Sequence, residues 1–241
     1  MQIHSDYHMH SKYSGDSKNE LEAIVQRAIE LGLKEIAITD HGPKHDGYGI
    51  KKTDYWIIRK EIDLLKVKYP QINILLGLEA NILGSDGQID LDEDMRAICD
   101  WVNAGYHFGS NLRHDLKIHF YNLLSRQSKY FYNKAKAINT KAMVNAMTKN
   151  KINMITHPGA KGPIDIDEVA SVASRSGTML EINNAHGHLT VEEIIIAHKY
   201  GVKFALCSDA HRIERIGLVP NSIKRALEAG LTSEDIYNVE S

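Results

Sequence analysis

Cysteine is scarce in this chain of 241 residues: Cys99 and Cys207 are the two it has. They sit far apart inside the apolar segments "RAICDWV" and "VKFALCSDA", without the paired spacing of a zinc finger or a redox motif. They read as buried, reduced thiols rather than a disulfide. Long hydrophobic runs are missing as well. No apolar stretch approaches the roughly 18 residues needed to cross a bilayer, and no basic segment followed by an apolar one opens the chain. The expectation is a cytoplasmic protein. Proline is rare, with five, and no Pro/Gly/Ser-rich linker, low-complexity segment or internal repeat divides the sequence. One domain over residues 1–241 is the simplest organisation. Charge of one sign is also lacking: 29 Lys and Arg face 31 Asp and Glu, a net charge of -2. Nothing global therefore attracts nucleic acid or an anionic membrane.

What is present is an ordinary globular composition, 43% hydrophobic and 25% charged, enough for one large core. Short β-branched runs alternate with helical patterns. Strands read at 3–8 ("IHSDYH"), 35–40 ("EIAITD"), 72–79 ("INILLGLE"), 98–107 ("ICDWVNAGYH"), 152–157 ("INMITH"), 178–183 ("TMLEIN") and 202–209 ("VKFALCSD"). Helical patterns read at 18–31, 54–67, about 115–150, 165–176, 190–200 and 219–229. Leu21, Ile24, Val25, Ala28 and Ile29 recur at the spacing of a helix with one buried face. The strands are nearly continuous apolar runs, as parallel strands covered by helices require. Seven strands interleaved with six helical patterns predict a parallel α/β fold.

The chemistry lies at the strand ends. The chain has 13 histidines, and "HMH" (His8, His10), "TDH" (Asp40, His41), "GYH" (His107), "THPG" (His157) and "SDAH" (Asp209, His211) each close a predicted strand, as does the carboxylate of "GLE" (Glu79). In a parallel α/β fold those ends converge on one face, where active sites are built. A lone histidine there is more often a cap or a hydrogen-bonded core residue, and the HxH pattern alone carries little. Glu79 at the end of an apolar strand is harder to dismiss, because a carboxylate in that place needs a partner or a metal. Taken together, imidazoles and carboxylates on one face read as a metal-ligand set.

The ordered combination of HxH, TDH, GxE, a strand-four histidine, HPG and SDxH resembles the PHP (polymerase and histidinol phosphatase) superfamily. "GLEANI", "DGQIDL" and "EINN" are similar to its stand-alone bacterial phosphatase branch. The resemblance spans essentially the whole chain. It implies a distorted TIM-like (βα)7 barrel, single-domain α/β, with a trinuclear site for zinc, manganese or iron. Carried over residue by residue, it implies the ligands His8, His10, Asp16, His41, Glu79, His107, His157, Asp209 and His211. Asp16 stands where some relatives place histidine; a carboxylate there can hold a hard or borderline cation and leaves that metal's identity open.

Six imidazoles and three carboxylates around three divalent cations would leave roughly +3, which attracts a phosphate dianion. The expected reaction is hydrolysis of phosphate monoesters of small metabolites by metal-bound hydroxide, with Glu79 bridging two metals and Glu79, Asp40 and Asp209 as the catalytic carboxylates. Asp40 and Asp6, next to histidines, are expected to orient imidazoles, although Asp40 could equally cap the following loop. Lys161, Arg212, Arg113 and His186 are the expected substrate contacts, with His188 and Lys117 nearby. The segment 111–141 carries seven Lys and Arg against one Asp, with interleaved aromatics. It reads either as an amphipathic helix with a solvated basic face or as a basic lid over substrate phosphates. The partner expected is a small phosphorylated substrate, with neither membrane nor nucleic acid; a homo-oligomer is left open. Competing readings are histidinol-phosphate phosphatase, a nuclease or phosphodiesterase, and a catalytically inactive metal-binding PHP domain.

Overall fold

A computed structural model describes residues 1–110 and 116–240. Its seven strands, β1 (Ser5–Asp6), β2 (Glu35–Ile38), β3 (Asn73–Asn81), β4 (Trp101–Gly105), β5 (Met154–Ile155), β6 (Met179–Asn183) and β7 (Phe204–Cys207), pair in sequence order, every pair parallel. Between them run the helices α1 (Leu21–Glu30), α2 (Lys52–Lys68), α3 (Glu93–Arg96), α4 (Leu116–Leu124), α5 (Lys129–Lys149), α6 (Ile166–Ser176), α7 (Val191–His198) and α8 (Pro220–Glu228). This is the seven-stranded α/β barrel expected from the alternation of patterns. No helix among the described residues is long and apolar enough to cross a membrane.

Every second residue of a strand faces the same side, and along the strands that face changes character. Leu75 gives way to Gly77 and Glu79 on β3, Trp101 to Asn103 and Gly105 on β4, Met179 to Glu181 on β6, and Ala205 to Cys207 at the end of β7. The apolar members pack together with Tyr7, Ala37 and Met154 as a plug inside the barrel. Tyr7 stacks on Trp101 at 4.2 Å between ring centres. The opposite faces join the helices in the larger core. On α1, Leu21, Ile24, Val25 and Ala28 are fully buried, and each large apolar side chain so placed contributes about 1.5–3 kcal/mol.

The barrel closes between β7 and β1 largely through side chains. Met9 and Ala210 form one parallel bridge, with the His10 N–H donating to Ala210 O at 2.9 Å. Below it, Asn238 acts as a spacer. Its Nδ2 donates to Ser5 O (2.7 Å) and Leu206 O (2.8 Å), and its Oδ1 accepts the Leu206 N–H (3.0 Å). Asp6 completes the seam by accepting from the backbone and hydroxyl of Ser208 and from Gly217 N–H.

Three features depart from the sequence reading, one being the short α3 (Glu93–Arg96), which no helical pattern announced. The pattern read as one helix over about 115–150 is two, α4 and α5. The break falls where Ser128 takes the N-cap position and its hydroxyl accepts from Phe131 N–H, competing with helical continuation. The strands at 3–8 and 152–157 shrink to two residues each, losing two residues at either end.

Candidate metal centre

The C-terminal ends of the strands carry the site. The Glu79 carboxylate, fully buried at the end of β3, lies at its middle. Its Oε1 is 3.0 Å from His157 Nε2, 3.2 Å from His107 Nε2 and 3.2 Å from His8 Nε2. Its Oε2 is 2.9 Å from His41 Nδ1 and 3.7 Å from His10 Nε2. Asp209 Oδ1 stands 3.5 Å from His10 Nε2 and 3.6 Å from His8 Nε2. Asp16 Oδ2 lies 3.0 Å from His211 Nε2 and 3.2 Å from His41 Nε2. All nine residues carried over from the family pattern therefore meet at one mouth. Three groups among them bring candidate donor atoms within 4.8 Å of one another: His10, Asp16, His41 and His211; His8, His10 and Asp209; and His41, Glu79 and His107.

The backbone is adapted to this convergence. His157 (φ 30°) and Asp209 (φ 53°) adopt left-handed conformations that cost a residue with a Cβ about 1–3 kcal/mol, a strain that clusters at functional sites. Gly105 has no side chain for a related reason: a Cβ there would collide with Thr156 Oγ1 and crowd the His157 ring.

Donor atoms without partners mark the centre. His8 Nε2, His10 Nε2, His41 Nδ1, Glu79 Oε2 and Asp16 Oδ1 are buried and make no hydrogen bond. His41 Nδ1 and Glu79 Oε2 are close, yet not aligned as donor and acceptor. An unsatisfied buried polar atom costs about 1–3 kcal/mol, and five at one point are poor protein design unless something else binds them. Imidazole nitrogens and carboxylate oxygens suit divalent zinc, iron or manganese. The residues present thus fit divalent metal ions.

Surrounding groups hold these donors in place. A carboxylate can only accept, so the 2.7 Å contact of Glu181 Oε1 with His8 Nδ1 puts a proton on Nδ1 and turns Nε2 inward. The other Glu181 oxygen accepts from His157 N–H (2.5 Å) and Asn183 Nδ2 (3.0 Å). Asn81 does the same for His107. Its amide nitrogen donates to Gly42 O and Asp90, leaving Oδ1 to accept from His107 Nδ1 at 2.8 Å.

Ionisation follows the geometry. Burial pushes the Glu79 pKa up, but His107, His8 and His41 more than offset it and hold the carboxyl well below its usual range. Burial likewise opposes ionisation of Asp209, and the imidazoles of His8 and His10 overcome it. Burial, reinforced by the charge of His41, lowers His10 to about 3, and burial lowers His107 to about 4. These two rings stay neutral near pH 7, with lone pairs available. His41 is instead raised to about 10, where Glu79 and Asp16 outweigh its burial.

A cavity of about 260 Å³ opens over the centre. Lys161 and His186 line it, with His186 Nε2 3.4 Å from Asp209 Oδ2. Burial lowers the His186 pKa to about 4, helped by His157 and Lys161. His188 faces elsewhere and pairs with Glu193 at 3.4 Å. Arg212 is exposed in the turn after His211 and does not line the cavity; Lys117 is exposed on α4. Arg113 lies outside the described residues. Asp40 orients no imidazole: buried, it accepts from Ser11 N–H (2.7 Å) and Ser11 Oγ (2.6 Å) and fixes the loop after β1 that carries Asp16, rather than the loop that follows Asp40 itself. Asp6 also orients no ring and belongs to the barrel seam. The pattern of strand ends missed His45 and Tyr48, which line the cavity from the loop after His41 and stack at 4.9 Å. It also missed Glu181, although the argument applied to Glu79, a carboxylate inside an apolar strand, holds equally for "TMLEIN".

A family model described as the PHP domain matches residues 6–185. The chain belongs to the PHP domain family. Over its full length it is 30% identical to a probable phosphatase of Thermoanaerobacter sp. strain X514, covering 92% of that protein. It is also 30% identical to the probable phosphatase YcdX of Escherichia coli O81 (97% of this chain, 89% of that one). Among solved structures, the histidinol phosphate phosphatase of Lactococcus lactis, complexed with zinc, L-histidinol and phosphate, superposes with a TM-score of 0.65 at 19% identity, covering 96% of this chain and 95% of that one. That likeness extends the agreement in fold to a nearly closed barrel of seven parallel strands. With the donor clusters above, the PHP chain is a metal-dependent phosphatase, a hydrolase of phosphoric esters.

Proposed function

We propose that this PHP protein hydrolyses phosphate monoesters of small metabolites with three divalent cations at the barrel mouth. The observation that carries the reading is the set of five orphaned donor atoms around Glu79. The distances support three ligand sets. His8, His10, Glu79 and Asp209 would hold one ion, Glu79 with His107 and His157 a second, and Asp16, His41 and His211 a third. Bound divalent cations supply Lewis acidity towards the phosphoryl group and acidify a water enough to provide hydroxide near neutral pH.

The chain's own part is positional and electrostatic. Glu181 and Asn81 hold the Nδ1–H of His8 and of His107, so that Nε2 of each ring is the atom aimed at the centre. Lys161 and His186 stand over the cavity, where the ammonium attracts the phosphate and the neutral imidazole can accept or donate one hydrogen bond. The cavity is large enough to admit a phosphoryl group. No serine or cysteine nucleophile is needed, and Asp40 takes no part beyond holding its loop.

The test is a phosphate-release screen over a metabolite library, histidinol phosphate included, with zinc, manganese and iron compared and single-stranded DNA as a separate arm. The reading expects turnover of monoesters and two or more metal ions per chain. Shortening of DNA without release of phosphate from any monoester would overturn it.

A further inference from the structure

The cavity over the metal centre is smaller than the roughly 300–1,000 Å³ usual for a ligand pocket. It does not end there. A second cavity of about 630 Å³ adjoins it, and Phe108 and Lys161 line both. The loop after β5 forms one wall, and α4 with the turn leading into α5 forms the other.

These walls are locked together. The amides of Asn122 on α4 and Asn139 on α5 bond each other reciprocally at 2.9 and 2.7 Å, and Asn139 Nδ2 also donates to Pro163 O at 2.9 Å. Gly162 packs so closely on Asn122 that a Cβ would overlap its amide. The space is therefore preformed.

Its chemistry is unevenly distributed. Leu123, Pro163 and Ile164 supply apolar contact, and Phe108 and Tyr132 offer aromatic surface. Glu193, the acid on this wall, is already committed: it pairs with His188 and accepts from Thr190 N–H at 2.9 Å in the capping box of α7. Arg126 and Lys161 are the cations. No ion pair or hydrogen bond to another described residue engages either side chain, and both are exposed to the cavity and to solvent. Lys161 stands at the junction, beside the phosphoryl position; Arg126 lies in the second cavity alone.

We propose that the second cavity receives the leaving group, and that it selects phosphomonoesters whose leaving group joins a flat or apolar body to a second anionic group, a carboxylate or a second phosphate. The apolar and aromatic walls hold the body, and Arg126 holds the anion. This rests on the phosphomonoesterase reading, and the experiment separates the two.

Phenyl phosphate, 4-carboxyphenyl phosphate, 1,4-phenylene bisphosphate and 4-(aminomethyl)phenyl phosphate are compared as substrates of the metal-loaded protein. In parallel, benzylphosphonate and 4-carboxybenzylphosphonate, which are not hydrolysed, are titrated by calorimetry. An Arg–anion bond in a partly exposed site predicts kcat/KM about tenfold higher for the anionic substrates than for phenyl phosphate, carried mainly by KM, and a similar ratio in phosphonate Kd. Preference for the carboxylate or for the bisphosphate tells which anion is favoured; the aminomethyl compound falls below phenyl phosphate. Arg126→Gln brings both ratios near one, while Lys141→Gln, which lines neither cavity, preserves them. Turnover of phenyl phosphate with ratios below about threefold in the unaltered protein, or ratios that Arg126→Gln leaves in place, overturns the proposal alone. Tenfold discrimination between the phosphonates without turnover of any monoester upholds the subsite and overturns the phosphatase reading instead.

Discussion

Glu181 on β6 accepts the Nδ1–H of His8 at 2.7 Å, joining residues 173 apart in sequence, and its second oxygen accepts the backbone N–H of His157. One carboxylate thus sets the tautomer of one candidate ligand and the backbone position of another. Outer groups of this kind typically carry about 10–100-fold of metal affinity. Glu181→Gln keeps the size but can offer its nitrogen to His8 as a competing donor. The expected outcome is a metal affinity weakened about 10–100-fold, read by titration against a competing chelator, with unchanged circular dichroism.

Removal of metal destabilises the fold. The buried donors of His8, His10, His41 and Glu79 lack partners within the protein, so ions that bind them bind the native state alone. At a free metal concentration about 100 times Kd this linkage adds about 2.7 kcal/mol per independent site. In a chain of this size that corresponds to about 5–10 °C in Tm. Thermal unfolding with and without a chelator measures it, and the expected shift is reversed by adding zinc or manganese back.

Asn238 substitutes for strand pairing at the seam, with three hydrogen bonds to Ser5 and Leu206. Asn238→Ala strands a buried N–H and two carbonyls. The expected loss is about 2–4 kcal/mol in chemical denaturation, large for a residue remote from the site. Metal content of the folded variant should match that of the unaltered protein.

Much of this was legible because parallel strands impose order on a sequence. Apolar runs separated by amphipathic patterns dictate the barrel, and the barrel brings the last residue of each strand to one mouth. His8, Glu79, His107, His157 and Asp209 could therefore be grouped without knowing a single distance. The carboxylate of Asp16 was visible through the family pattern rather than through strand order, since it sits in a loop that Asp40 holds through Ser11. Loops explain the rest. His45 and Tyr48 reach the cavity by a turn that no periodicity announces, and Arg212 is carried away from it by the turn after His211. The division of α4 from α5 depended on one capping serine, Ser128, inside an otherwise helical pattern.

The most direct measurement compares phosphate release by the metal-reconstituted protein with that of Glu79→Ala, alongside metal content by mass spectrometry. Glu79 touches His8, His41, His107 and His157 at once, and it lies at the mouth rather than in the apolar plug. The account predicts a folded variant that has lost at least one metal ion per chain and essentially all turnover. A Glu79→Ala protein with full activity and full metal content would contradict it.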